Sequence, residues 1–104
     1  MVPIHPGRIL KRELTTRGLS ANRLALGLRV PSGRITDILN GKRGITPETA
    51  LRLAHFFGTS ADFWMNLQTR FDLATAEKSI GAKVAAEVER ADSVSQTGKR
   101  HRAA

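Results

Sequence analysis

Cysteine is absent from the 104-residue chain, which excludes a disulfide framework, thiol catalysis and cysteine-based zinc sites and fits a reducing compartment. The histidines, His5, His55 and His101, are dispersed at spacings that form no metal motif. No apolar run approaches the roughly 18 residues of a transmembrane helix, and Met1 to Pro6 lacks the charged-then-apolar layout of a signal peptide. The expectation is a cytoplasmic protein with no membrane contact. Strand-like alternation of β-branched residues is missing, and so is a glycine-rich loop placed after a strand. No serine or threonine has a motif-placed base. Neither an enzyme nor a cofactor nor a metal site is therefore expected.

Acidic residues are scarce: nine Asp and Glu stand against seventeen Lys and Arg, a net +8. The imbalance sits in one part of the chain. Residues 1–70 hold eleven basic residues against four acids (Glu13, Asp37, Glu48, Asp62), whereas residues 71–104 hold six against five. Charge carried by the folded part rather than by a loose arm points to a surface that meets phosphates or another polyanion; plain solubility is the alternative. A hydrophobic fraction of 40% with 25% charged residues allows a modest core, and the length admits one domain.

The punctuation predicts an all-α chain. Pro6 can take the first helical position after His5, and Ile9, Leu10 and Leu14 share one face until Gly18. Ser20 caps a second helix carrying Leu24, Ala25 and Leu28, with Gly27 weakening its end. After a turn through Arg29 and Val30, Pro31 or Ser32 opens a third helix with Ile35, Ile38 and Leu39 on its apolar side, and Asn40 with Gly41 stops it. Thr46 and Pro47 start a fourth helix that turns Ala50, Leu51, Ala54 and Phe57 inward and ends at Gly58. A fifth begins near Ser60 with Asp62 in its first turn and brings Phe63, Trp64, Leu67 and Phe71. The expected domain covers residues 1–73. An Ala-rich helical extension, a candidate dimerising element, follows over 74–91, and a disordered basic tail with Lys99, Arg100, His101 and Arg102 over 92–104.

Two short helices joined by a tight turn, the second apolar on one side and small or polar on the other, form a helix-turn-helix over about residues 19–39. Ala25 permits a close helix crossing, and Leu24, Ile35 and Ile38 fill the angle between the helices. Small groups near the start of the third helix let its backbone approach a major groove. Ser32, Gly33, Arg34, Thr36 and Asp37 are the candidate base-reading positions. Arg34 can grip guanine with its planar fork; Asp37 can accept from cytosine N4 or orient Arg34. Candidate phosphate contacts are Ser20, Asn22 and Arg23 at the second helix, plus Lys42 and Arg43, whose loop amides and two cations could clamp one phosphate. Ser20 serves equally as a cap. Phe63, Trp64, Leu67 and Phe71 are the candidate dimer interface, the alternative being that they close the monomer's own core. A dimer presents two reading helices about 34 Å apart to a palindrome.

Residues Leu19 to Leu39 resemble the lambda-repressor-like helix-turn-helix family of Cro, cI and XRE type, which implies a five-helix DNA-binding fold. Four further blocks are similar to the HigA antitoxins of bacterial toxin-antitoxin modules: His5-Pro6-Gly7; Asn40-Gly41-Lys42-Arg43; Ile45-Thr46-Pro47-Glu48-Thr49-Ala50; and Phe63-Trp64 with Asn66-Leu67-Gln68. They span roughly residues 3–73. The resemblance implies a homodimer that binds double-stranded operator DNA, represses its own operon and neutralises a HigB-type toxin, a ribosome-dependent mRNA endonuclease. A phage-type repressor without a toxin partner, or an interaction module whose surface no longer binds DNA, are the alternatives. Arg29 stands where the wider repressor family commonly has glycine, a substitution that costs ~1 kcal/mol if the left-handed turn is kept. Gly33 lowers helix stability by about 1 kcal/mol relative to alanine and brings no side chain to read bases.

Overall fold

Each of the chain's larger helices but one starts on a side chain that satisfies a free amide, and three of them end on a residue that reverses the backbone. The computed structural model describes residues 2–94. It contains α1 (Pro6–Arg17), α2 (Ala21–Leu28), α3 (Ser32–Leu39), α4 (Pro47–Phe57) and α5 (Ala61–Glu87), then a 3-10 turn over Ala91–Ser93. No described helix is long and apolar enough to cross a membrane. The Ser20, Thr46 and Ser60 hydroxyls accept the amide N–H groups of Arg23, Thr49 and Phe63 as caps of α2, α4 and α5. α3 is the exception: Pro31 precedes it and offers no side-chain cap. Gly18 and Gly58 end α1 and α4 in the left-handed region.

Arg29 ends α2 with φ 61°, the only positive φ at a non-glycine among the described residues. The turn geometry is thus kept without glycine, at a cost of about 1–2 kcal/mol. It lets the Arg29 and Val30 amides donate to carbonyls of the last turn of α2. The chain then reverses into α3. Leu24, Ile35 and Ile38 are fully buried in the angle so formed, and Ala25 is buried where α2 meets α3. Leu10, Leu14, Leu28, Ile45, Ala50, Leu53 and Trp64 complete the core. α1 crosses the C-terminal end of α3 so closely that a side chain on Gly7 would overlap the Ile38 carbonyl.

Two expectations need correction. Leu51 does not face inward; it is 57% exposed, and the buried positions of α4 are Thr49, Ala50, Leu53 and Ala54. Leu53 follows Ala50 by one turn, whereas Leu51 is rotated about 100° off that face. The helical extension expected over 74–91 is continuous with α5, which runs unbroken for 27 residues to Glu87, roughly 40 Å at 1.5 Å per residue, because the Ala-rich stretch after Leu73 has high helix propensity. The second half of α5 projects from the packed domain, giving overall extents of 62 × 26 × 20 Å. Trp64 is 1% exposed and donates its indole N–H to Thr59 Oγ1 at 3.0 Å. It belongs to the monomer's core and has no surface left for a partner. Of the expected tail, Asp92 and Ser93 lie in the 3-10 turn, while Lys99, Arg100, His101 and Arg102 lie outside the described residues.

Two polar groups tie α5 to the rest. Gln68 is buried, accepts the Ile45 amide N–H at 2.7 Å through Oε1 and donates to Asp72 Oδ1 at 2.9 Å. Gly44 lies against the Gln68 side-chain amide, where a Cβ would stand 3.0 Å from it. His5 caps α1: its Nδ1 accepts the Gly7 N–H at 2.9 Å while its ring meets Phe71 edge-on at 4.8 Å. Burial lowers the His5 pKa below its ordinary 6.5, against the smaller opposing pulls of an Arg43 backbone group and the Asp72 charge.

Replacing Gln68 with alanine strands the Ile45 amide; urea unfolding is expected to show a loss of about 1–3 kcal/mol. His5 generates a pH dependence. The folded chain holds the ring neutral longer than the unfolded chain does, so this contribution is full above pH 6.5 and is lost as pH falls through the lowered folded pKa. Unfolding midpoints followed from about pH 8 to about pH 5 are expected to drop across that window. His5→Asn, which keeps a capping oxygen, is expected to flatten the drop.

Candidate nucleic-acid interface

α3 presents Ser32, Gly33, Thr36 and Asn40 to solvent on one arc while Ile35 and Ile38 anchor the opposite side. The exposed arc is small and polar. The Thr36 hydroxyl donates to the Ser32 carbonyl at 3.1 Å, and a Cβ added to Gly33 would meet nothing within 4 Å. Glycine at 33 is therefore not demanded by packing or by a positive φ. Its effect is to leave the outer surface of the helix flat, which permits close approach of a partner surface.

Arg34 and Asp37 flank this arc and are half-buried. The pair made by Arg34 is with Glu48 of α4, at 3.6 Å, not with Asp37 as one sequence reading had it. Glu48 also holds Arg52 at 3.1 Å, and Arg52 donates to the Leu28 carbonyl at 2.9 Å. A cation thus sits on the C-terminal end of α2, where the helix dipole is negative. Sequence reasoning passed over Arg52 and Glu48; their four-residue spacing was the available signal. The Arg34–Glu48 contact is long and its acid is 59% exposed, so it holds Arg34 by no more than about 1 kcal/mol.

The loop after α3 corrects a second expectation. The amides of Lys42 and Arg43 both donate to the Asp37 carbonyl, at 2.8 and 3.2 Å. They close the end of α3 and are not free to clamp a phosphate; only the exposed side chains of Lys42 and Arg43 remain for that. At the start of α2 the Ser20 hydroxyl is engaged as the cap, accepting from Arg23 N–H at 3.0 Å, while the Asn22 and Arg23 side chains are exposed. Arg23, Lys42 and Arg43 make no ion pair among the described residues. The result is an uncapped-looking polar helix face bordered at separate points by free cations, with no carboxylate on its outer arc.

The helix-turn-helix model HTH_3 matches residues 10–64, more than half of the chain, and takes in α2, α3 and α4. The chain belongs to the helix-turn-helix family. Within it, virulence-associated protein I of Dichelobacter nodosus is 51% identical over 79 residues, covering 75% of this chain and 73% of that protein. The structure of an addiction module antidote protein of the HigA family from Coxiella burnetii superposes with a TM-score of 0.84 at 53% identity, covering 86% of this chain and 99% of that one. The antitoxin HigA of Pseudomonas aeruginosa, solved with the higBA promoter, does so with a TM-score of 0.84 at 43% identity, over 86% and 99% of the two chains. The match to the HigA structures covers much more of this chain than the helix-turn-helix model does.

Gly33→Ala separates folding from binding. With open space around the new methyl group, the unfolding free energy is expected to rise by up to about 1 kcal/mol, while a partner surface that packs flat against α3 is expected to be bound more weakly, because the methyl group holds it off the helix. Unfolding and DNA titration of the same variant check both.

Proposed function

We propose that this helix-turn-helix protein is a HigA-type antitoxin: a cytoplasmic homodimer that binds double-stranded operator DNA, represses its own operon and neutralises a HigB-type mRNA endonuclease. The observation that carries the reading is the likeness, at 43% identity over most of both chains, to an antitoxin solved on its promoter. The physical features agree with it. Ser32, Gly33 and Thr36 lie on the face of α3 that would enter the groove, with Arg34 and Asp37 at its edges. Arg34 exchanges a weak pair with Glu48 for a guanine or a phosphate at little cost. Arg23, Lys42 and Arg43 hold phosphates and set the register, with the Ser20-capped start of α2 directed at the same backbone. Repression follows by occlusion where the site overlaps a promoter.

Dimerisation rests on α5. Phe63 is exposed, and Leu67 and Phe71 are half-buried; further along, Leu73, Ile80, Val84 and Val88 are exposed large apolar groups. Spacings of seven and four put Leu73, Ile80 and Val84 on one helical face. A second copy covers this stripe, whose large apolar side chains are exposed among the described residues. The proposed interface keeps the helical extension expected to dimerise and leaves out Trp64, which the monomer's own core encloses.

Ile80→Glu is expected to shift the protein to monomer in sedimentation velocity and to weaken operator binding in parallel, leaving the unfolding of residues 6–73 unchanged. For the toxin, tagged protein purified from its host is expected to bring down a small protein encoded next to it in stoichiometric amount. Recovery of the protein with DNA alone would instead establish a free-standing repressor.

A further inference from the structure

Outside the reading face, α1 carries a cationic surface with no structural employment. Arg8, Lys11 and Arg12, with Thr15 and Leu39, line a shallow open depression of about 450 Å³. All three basic residues are exposed, and none makes an ion pair among the described residues. The one acid of α1, Glu13, is held by Arg17 at 3.1 Å. Three like charges within a turn and a half of helix repel one another, so the fold gains nothing from their grouping.

The position of the depression points to its ligand. Gly7 touches the Ile38 carbonyl of α3, and Lys11 lies one turn beyond Gly7, so the Lys11 edge of α1 is turned toward α3. Leu39, which shares the depression, stands beside Ser32 and Thr36 on the helical wheel of α3. The depression thus lies on the Leu39 side of α3, the side next to Ser32 and Thr36. Helices packed side by side lie about 8–10 Å apart, and the major groove is about 12 Å wide. A helix packed against one that fills the groove therefore sits over the phosphate row at its rim. We propose that Arg8, Lys11 and Arg12 form a second phosphate-binding surface, which grips the DNA backbone along the edge of the groove read by α3. This rests on the DNA-binding reading above. It extends that reading to a helix outside the helix-turn-helix, and assigns the three residues to affinity rather than to base choice.

The test uses the full chain and a duplex carrying the DNA upstream of its own gene. Affinity is measured across a salt series for the wild type, for the triple variant Arg8→Gln, Lys11→Gln, Arg12→Gln, and for a control that removes equal charge at Lys78, Lys83 and Arg90. Because the substituted side chains are exposed, melting curves of all three proteins are expected to coincide. Each lost phosphate contact lowers the slope of log affinity against log salt by about 0.9. The triple variant is expected to lose about two to three units of slope, equally on upstream and on scrambled duplex, while the control keeps the wild-type slope. Equal losses in triple variant and control would reduce the effect to long-range attraction and overturn the proposal. An unchanged slope in the triple variant would overturn it too, as would loss of RNA or protein binding with operator binding intact. If the wild type itself binds no duplex, the DNA-binding reading fails, an outcome separate from failure of the α1 surface alone.

Discussion

An eight-residue helix does not persist alone in water, and α3 is eight residues long with no side-chain cap. Its existence depends on what holds its two ends. At the N-terminal end the left-handed Arg29 reverses the chain, and the Arg52–Glu48–Arg34 series joins the end of α2, the start of α4 and α3. At the C-terminal end Gly7 of α1 meets the Ile38 carbonyl, and the Asp37 carbonyl collects the Lys42 and Arg43 amides. Gln68 then fixes the following loop from beneath by taking the Ile45 amide. Between these ends Ile35 and Ile38 supply the burial. All the anchoring lies on one side of α3, and this leaves Ser32, Gly33 and Thr36 with no structural task.

The same division runs through the charges. Arg17, Arg34, Arg52 and Arg90 have carboxylate partners. The cations around α3 and on the adjoining edge of α1 do not. Exposed ion pairs contribute little to stability, so pairing reports less on how the domain is held together than on which cations are left over. Arg70, Lys78 and Lys83 of α5 are left over as well, but those on α1, at the start of α2 and after α3 surround the polar face of α3, which ties the phosphate surface on α1 and the proposed operator contacts into one electrostatic field. The projecting half of α5, apolar along one face, fits the other requirement of specific operator binding, a second copy that doubles the contacts.

Much of this was legible in the residues. The caps Ser20, Thr46 and Ser60 and the stops Gly18, Gly41 and Gly58 act locally, within four residues, and their positions in the structure match their positions in the pattern. The Ala-rich stretch after Leu73 reads as helix, but that it joins α5 without a break was less visible, because its small residues offer no strong amphipathic signal to carry the face across. Trp64 was misplaced for a related reason. An aromatic stripe reads the same whether a partner or the chain's own α4 covers it, and here Phe57 lies 5.9 Å from the Trp64 ring. The roles of Gln68 and His5 depend on groups 23 and 66 residues away, beyond the reach of any local pattern.

By itself the sequence determined the all-α class, the helix borders, the helix-turn-helix and the concentration of positive charge in residues 1–70, since these follow from periodicity, capping chemistry and composition. Only the tertiary structure decided which side chains remain free to act. The amides of Lys42 and Arg43 are used within the fold, Arg34 leans on Glu48, Trp64 is enclosed, and Arg8, Lys11 and Arg12 come to lie beside the reading helix. The reason is that hydrogen bonding, ion pairing and burial are satisfied between elements distant in the chain, and function is left to the groups that this packing does not use.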